Sequence, residues 1–231
     1  MKSISSSYCR RNRNGAFALP DLLVILAVIS VLAALSVAIA VSTREKARLS
    51  VCLENQRKIG KAILAFSEDN SKALPGPSSP KDNVWWTYKE QVMSYAGLKG
   101  EPSVNDTLFA CPNDRGYTDS TPFSRSSRFQ YNSYVFNGVT LPGMPNVAGW
   151  FTYNIKQPEK TLLIMEFCAH GPYAWHYSKN GNQNTPFYNN AQCMAAFVDG
   201  HARFTKFHYD GYNAAYTQDP ISGYDYKFSG N

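Results

Sequence analysis

The spacing of hydrophobic and polar residues changes twice along this chain. From Leu22 to Val41 the residues are apolar except for two serines. From residue 42 to about 70, apolar positions recur at three- and four-residue steps among charged ones, as in an amphipathic helix. After the Pro- and Gly-rich stretch 75–80, short apolar runs alternate with turn residues. The pattern predicts one helix over about 18–69, followed by a globular α+β head.

Within the head, four segments read as strands and one as a helix. Alternating or continuous apolar runs predict strands over 131–136, 161–167, 194–198 and 201–207, and a short helix over 85–95. Asp199-Gly200 separates the last two runs and favours a two-residue hairpin turn. We expect a small antiparallel sheet against the amphipathic half of the long helix, with any bend at Gly60.

The first apolar run has the length of a membrane span. A helix of about 20 residues is about 30 Å long, which matches the hydrocarbon core of a bilayer. Lys2, Arg10, Arg11 and Arg13 precede the run, and no acid comes before Asp21. By the positive-inside rule this predicts a single-pass membrane protein, with a transmembrane half over 22–41 and its head outside the cytoplasm.

A cleaved secretory signal is an alternative interpretation of the same run. Ala38-Ile39-Ala40 offers a small-residue cleavage site, and the product would then be a secreted protein without its apolar segment. However, the run is longer than the 7–15 apolar residues typical of a signal peptide. A signal peptide also gives no reason for Asp21.

The positive charge of the chain is mostly a property of its first residues. The formal net charge is +6, but without the four basic residues before position 17 the chain has 19 basic and 17 acidic residues. We therefore expect no nucleic-acid partner.

The cysteines favour disulfides over redox or zinc motifs. No CxxC spacing occurs. In an exported chain, four of the five cysteines form an even set that can pair; the alternative is that they are small buried hydrophobic residues. The candidates are Cys52 with Cys111, tying the helix to the first loop, and Cys168 with Cys193 at strand ends.

Evidence for a metal site or a catalytic site is weak in the sequence. No EF-hand spacing is present, so calcium has only weak candidates, and no cofactor is expected. His170, His176, His201 and His208 occur without a zinc-hydrolase motif, and we assign no catalytic residues and no enzymatic activity. The calcium candidates are Asp199, Asp210, Asp219 and Asp225, and Glu166 is expected on a strand that neighbours the one before Asp199.

The segment GAFALPDLLVI, residues 15–25, resembles the type IV prepilin signature: a small residue before the cleavage point, then Phe, and an acid at the fifth mature position before a long apolar run. The resemblance implies a processing site formed by Gly15, Ala16 and Phe17. Cleavage would occur between Ala16 and Phe17, and the new amino group of Phe17 would then be methylated. It also implies that Asp21 pairs with that ammonium in a neighbouring subunit. An acid in an apolar run is costly to insert, so such acids are usually functional.

Two residues depart from the signature. Asp21 is one methylene shorter than the usual Glu, and Pro20 stands where Ile is typical. Proline is tolerated in the first helical turn, because the N–H groups there lack helical partners.

The resemblance extends into the head. Cys52-Leu53-Glu54-Asn55 with Gly60, Cys111-Pro112, Ser133–Gly138 and Phe197–His201 resemble landmarks of bacterial prepilin-like proteins that end in an H-x9-DG element. Here position 189, where the histidine of that element is expected, is Asn. The nearest upstream histidines are His176 and His170.

Together these features predict a pilin-like fold, α+β, with a transmembrane first helical half packed through its second half on a small antiparallel sheet. The expected domains are a leader (1–16), the long helix (17–70) and the head (71–231). The resemblance implies a structural subunit of a type IV pilus or type II secretion pseudopilus. It would lie first in the bacterial inner membrane as a single-pass protein and then in a periplasmic or cell-surface filament. Its expected partners are other pilin-like subunits, a prepilin peptidase and the inner-membrane assembly machinery. The alternative is a secreted or membrane-anchored module that binds a glycan or another surface.

Overall fold

The computed structural model describes residues 19–79, 82–116, 121–139, 142–167, 175–176, 191–208 and 219–231, with the side chains of 36–42 and 191 excepted. The predicted processing site at residues 15–17 and the candidates Cys168 and Asp210 lie outside these ranges. The chain divides into two compact units, Met1–Glu45 and Lys46–Asn231.

Helix α1 spans Leu19–Asp69 and runs through Gly60 without interruption. The prediction of a helix over about 18–69 is confirmed. The helix ends because Ser71 and Lys72 both adopt positive φ angles, which a right-handed helix does not allow. Its last turn is closed by the Lys72 amide, which donates to the Ser67 carbonyl at 2.7 Å.

The prediction of a membrane span is wrong. Among the described residues, no helix is both long and apolar enough to cross a bilayer. The predicted fold class, with its transmembrane first half over 22–41, is wrong in this respect. The predicted localisation as a single-pass inner-membrane protein with its head outside the cytoplasm is wrong on the same finding.

The described strands form a four-stranded antiparallel meander in the order β1-β2-β3-β4. The strands are β1 (Tyr134–Phe136), β2 (Leu162–Glu166), β3 (Ala191–Phe197) and β4 (Ala202–Phe207). β2 is buried at all five positions, which explains why its first four residues are all apolar. The β3–β4 hairpin is confirmed, with Ala196 opposite Ala202.

The hairpin turn differs from the predicted two-residue type. The Phe197 amide donates to the His201 carbonyl at 2.9 Å, so three residues (198–200) lie between the paired positions. Gly200 has a φ of 90°, the conformation that a three-residue hairpin loop with a glycine bulge requires. Asp199-Gly200 thus marks the position of the turn, but the hairpin loop is one residue longer than predicted.

The second half of α1 and the short helix α2 (Val84–Val92) belong to the core of the head. A Cβ atom placed on Gly60 would lie 3.5 Å from the Cβ of Ala196 on β3, so the helix backbone approaches the sheet closely. Gln56 donates to the Met194 carbonyl of β3 at 2.9 Å. On α2, the Tyr88 ring stacks on Phe136 of β1 with centroids 5.7 Å apart.

Candidate functional site

The first part of α1 exposes apolar side chains around its whole circumference. Every described side chain from 19 to 35 is exposed, including Leu22 at 54% and Leu32 at 57%. Ser30, the one hydroxyl in the run 22–35, donates to the Leu26 carbonyl at 2.8 Å within the helix. Large exposed apolar patches mark interaction sites. This segment, residues 19–35, is called the apolar rod below.

A second candidate site lies inside the head, where four ionisable side chains converge. Cys52, Cys111, Glu166 and His176 place their ligand-type atoms within 4.8 Å of one another, and all four residues are buried. They come from α1, from the loop after the 3-10 turn Thr107–Phe109, from the end of β2 and from the segment 175–176. We call these four residues the Cys-Glu-His cluster.

Two contacts in the cluster are short. The sulfur atoms of Cys52 and Cys111 are 2.7 Å apart, and both cysteines are free thiols in this structure. His176 Nε2 lies 2.6 Å from Glu166 Oε1. Cys111 Sγ links the two pairs, at 3.4 Å from Glu166 Oε1 and 3.6 Å from His176 Nε2.

Glu166 Oε2 and His176 Nδ1, the polar atoms that do not contact the sulfur atoms, also have hydrogen-bond partners. The Met194 amide donates to Glu166 Oε2 at 3.0 Å. Asn113 Nδ2 lies 3.0 Å from His176 Nδ1, and Asn113 Oδ1 accepts from Arg48 at 3.3 Å. Each side chain is therefore fixed at its far side and presents one atom, Oε1 or Nε2, to the sulfur atoms.

Cys111 is positioned by a buried hydrogen-bond network. Its amide donates to the Ser133 hydroxyl at 2.9 Å, and that hydroxyl donates to Asp114 at 2.6 Å. The Asp114 carboxylate also accepts three backbone amides, those of Gly116, Phe123 and Ser124. This satisfied carboxylate fixes the loop that carries the thiol.

The electrostatics of the cluster shift the pKa values of the two thiols in opposite directions. The hydrogen bond from Cys111 lowers the pKa of the Cys52 thiol, even though burial opposes this. Burial raises the pKa of Cys111 well above its usual value. Burial also lowers the pKa of His176, but the charge of Glu166 and the hydrogen bonds to Cys52 and Glu166 outweigh it and raise this pKa to about 11. Cys52 is thus the thiol more easily ionised.

The arrangement allows two kinds of chemistry. The two sulfur atoms can form a disulfide between α1 and the loop, as the sequence predicts. Alternatively, two thiolates, an imidazole and a carboxylate are together a ligand set for a divalent metal ion. The Cys52–Cys111 disulfide stays a prediction, and so does Cys168–Cys193, of which only the buried Cys193 on β3 is described.

The three calcium candidates that the structure describes, Asp199, Asp219 and Asp225, do not converge. Asp199 contacts His201, with its Oδ1 2.6 Å from Nδ1, and Asp219 accepts the amides of Phe228 and Ser229. Asp225 pairs with Arg203 and Lys160 at the surface. In the described part of the chain, the Cys-Glu-His cluster is the only group of three or more such ligands that meets at one point.

Glu166 lies on β2, which neighbours β3 as predicted, but at the end of β2 that is remote from Asp199. Leu162, at the other end of β2, pairs with Phe197 beside the hairpin turn. Glu166 is therefore four residues along the strand from the level of the turn, about 13 Å away.

Sequence reasoning missed the role of Glu166 and His176 in this cluster. Glu166 carries a usable signal, since it is a charged residue in the otherwise apolar run Leu162–Phe167. His176 was identified only as a histidine upstream of the shifted H-x9-DG element. Its contact with Glu166 depends on a chain path that no local pattern reveals.

An open cleft in the head is a third feature. It has a volume of about 670 Å³, and its lining includes Trp150, Asn146, Asp219, Lys227 and Asn231. Next to Trp150, the exposed rings of Phe151 and Tyr153 stack with centroids 5.3 Å apart and planes 14° apart. The cleft shares no residue with the Cys-Glu-His cluster.

Comparison with known proteins yields no match to a family model, to a curated protein or to a solved structure.

Proposed function

We propose that this protein is a non-enzymatic, pilin-like structural subunit that assembles with copies of itself through the apolar rod. The observation that carries the proposal is the exposure of every described side chain of the rod, on all faces of one helix. A helix that is apolar all round has to be covered on several sides. Parallel packing of the same helix from neighbouring copies provides such cover.

In this proposal, Asp21 fixes the axial position of each rod against the rods of neighbouring copies. It is the only charged side chain between residues 19 and 43. A carboxylate among packed apolar helices needs a cationic partner to offset its desolvation. The prepilin-like motif supplies one, because cleavage after Ala16 would create an ammonium group at Phe17 that a neighbouring copy's Asp21 can bind. The partners in this proposal are other pilin-like subunits and a prepilin peptidase.

The test is filament formation by the full-length chain in its native cell. Cells expressing the unmodified chain should yield a sheared or pelletable filament fraction that antibodies to this protein label in electron micrographs. Asp21→Ala should reduce that fraction roughly tenfold or more, since it removes one partner of a buried pair. The control is Glu54→Ala, because Glu54 is a half-exposed acid in the second half of the same helix.

Two results would count against assembly. One is equal filament yield from Asp21→Ala and the unmodified chain, which removes the register role. The other is a protein that remains monomeric in its native cell with the rod present.

A second candidate function is binding of a glycan by the head. The cleft beside Trp150 combines an aromatic ring with amide, carboxylate and ammonium groups, which is a suitable lining for sugar hydroxyls and ring faces. Titration of the full-length chain with soluble oligosaccharides should change tryptophan fluorescence, and Trp150→Phe should remove most of the change. No saturable change with any oligosaccharide tested would contradict this function.

A further inference from the structure

We propose that the Cys-Glu-His cluster is a structural zinc site, with Cys52 Sγ, Cys111 Sγ, Glu166 Oε1 and His176 Nε2 as ligands. A pairing of sulfur atoms alone would explain two of these residues. A metal ion would explain why four ligand-type atoms from four separate chain segments meet within 4.8 Å in the interior. The proposal is independent of filament assembly.

The ligand set selects the metal. Thiolates favour soft or borderline ions, whereas carboxylate oxygen disfavours the softest ones, and imidazole suits zinc well. Four protein ligands without an open position are typical of structural zinc sites. Two thiolates, one carboxylate, a neutral imidazole and Zn²⁺ leave one net negative charge. Arg48, whose guanidinium lies 3.3 Å from Asn113 Oδ1 beside His176, brings a positive charge close to the site.

The surroundings of the ligands match those of a zinc site. Metal-binding histidines and carboxylates are usually fixed through their other polar atom. Here the Met194 amide holds Glu166 Oε2, and Asn113 holds the Nδ1 side of His176. With zinc on Nε2, Nδ1 carries the proton and donates. The Asn113 amide oxygen, which accepts from Arg48 in this structure, would then turn toward the ring.

The distances require a limited side-chain adjustment. Zinc–ligand bonds of about 2.0–2.3 Å in a tetrahedron put neighbouring ligand atoms about 3.4–3.8 Å apart. The contacts of Cys111 Sγ with Glu166 and His176, at 3.4 and 3.6 Å, already have this length. The sulfur–sulfur contact of 2.7 Å would open by about 1 Å, and the 2.6 Å contact between His176 and Glu166 by slightly less.

Zinc and a Cys52–Cys111 disulfide exclude each other, because the metal needs both thiolates. The decisive experiment measures both states in one sample. The full-length chain is purified without chelator or added reductant. Its zinc content is measured by mass spectrometry of the metal, and its thiols are mapped by alkylation after denaturation. We expect about one zinc per chain and alkylation of both Cys52 and Cys111.

The variants separate ligation from folding. His176→Ala and Glu166→Gln should each weaken zinc binding at least about 100-fold, as expected when a ligand rather than an outer contact is lost. The control is Cys193→Ser, a buried cysteine outside the cluster, which should keep the zinc. Should the ligand variants fail to fold, Co²⁺ added to the unmodified, metal-stripped chain gives a second readout. The expected result is the visible absorption of tetrahedral cobalt with a thiolate charge-transfer band.

The proposal is overturned by a chain that is 2 Da lighter than its reduced mass, contains a peptide linking Cys52 to Cys111, and holds no zinc. It is equally overturned by a fully reduced chain that binds neither added zinc nor Co²⁺. Zinc content that survives in both His176→Ala and Glu166→Gln would also place the metal elsewhere.

Discussion

Lys89 is a charged residue whose side chain has no exposed surface. Its ammonium lies 2.9 Å from Asp106 Oδ2 and donates to the carbonyls of Gln130 and Tyr131. The ammonium also lies 4.8 Å from the centre of the Phe109 ring. A buried ammonium with this set of partners is tolerable, but removal of its counter-charge is not. The pair joins α2 to the loop that leads to Cys111.

We predict that Asp106→Ala lowers the free energy of unfolding by about 3–5 kcal/mol, because it leaves the Lys89 charge buried without a counter-ion. Urea denaturation at neutral pH measures this. Glu101→Ala, at an exposed acid in the same loop, should change the value by less than about 0.5 kcal/mol. An equally small loss for Asp106→Ala would show that the pair contributes little.

The same pair predicts a pH dependence. Burial raises the pKa of Asp106, but the amide of Ser103 and the charge of Lys89 outweigh it, so this pKa is lowered from 3.8. A lowered pKa gives a contribution to stability that is present above the unfolded value and is lost as the pH falls through the folded value. The stability difference between the unmodified chain and Asp106→Ala should therefore narrow below about pH 4. A difference that stays constant down to pH 2 would contradict this.

At the scale of the elements, Gly60 lies where α1 packs against β3 of the sheet. The helix is continuous there, and a Cβ atom would meet Ala196 at an ordinary contact distance of 3.5 Å. The glycine is thus not needed for a bend, and it costs helix stability relative to alanine.

We predict that Gly60→Ala raises the free energy of unfolding by about 0.5–1 kcal/mol. Gly60→Leu should lower it by about 1–3 kcal/mol, since the larger side chain would overlap Ala196 and Leu163. Thermal and urea unfolding of both variants measure these effects, with the exposed neighbour Lys61→Ala as control. If Gly60→Ala were as destabilising as Gly60→Leu, the helix–sheet distance would be smaller than described.

The elements were more predictable from the sequence than the cluster. The strands and α1 follow from local periodicity, and the predicted strand over 161–167 corresponds to β2 at Leu162–Glu166. The Cys-Glu-His cluster has no local signature, because Cys52 and Cys111 are 59 positions apart. Its geometry is fixed by the packing of α1 on the sheet and by the Asp114 network, both of which are long-range contacts. The membrane span was predicted mainly from hydropathy, and no helix within the described ranges is long and apolar enough to form one.

At the scale of the whole molecule, the chain comprises two compact units, Met1–Glu45 and Lys46–Asn231. The second unit holds the sheet, the cleft and the Cys-Glu-His cluster. The first unit holds the apolar rod. Assembly and any binding or metal chemistry are therefore assigned to different units and can be tested separately.

The proposed processing predicts a defined N-terminus for the mature chain. Mass spectrometry of the protein from its native cell should find a chain that begins at Phe17 and carries one extra methyl group on its amine. Such a chain keeps the whole rod. A chain that begins at Val41 would have lost the rod and could not assemble through it.

The most direct test of assembly is site-specific photo-crosslinking through the rod. A photoreactive amino acid placed at Leu26, which is 52% exposed, should crosslink in the native cell to residues 19–35 of another copy of this chain. The same probe at the exposed position 101 of the head should not reach that segment. Crosslinks from Leu26 that occur only within one chain, or only to unrelated proteins, would contradict self-assembly through the rod.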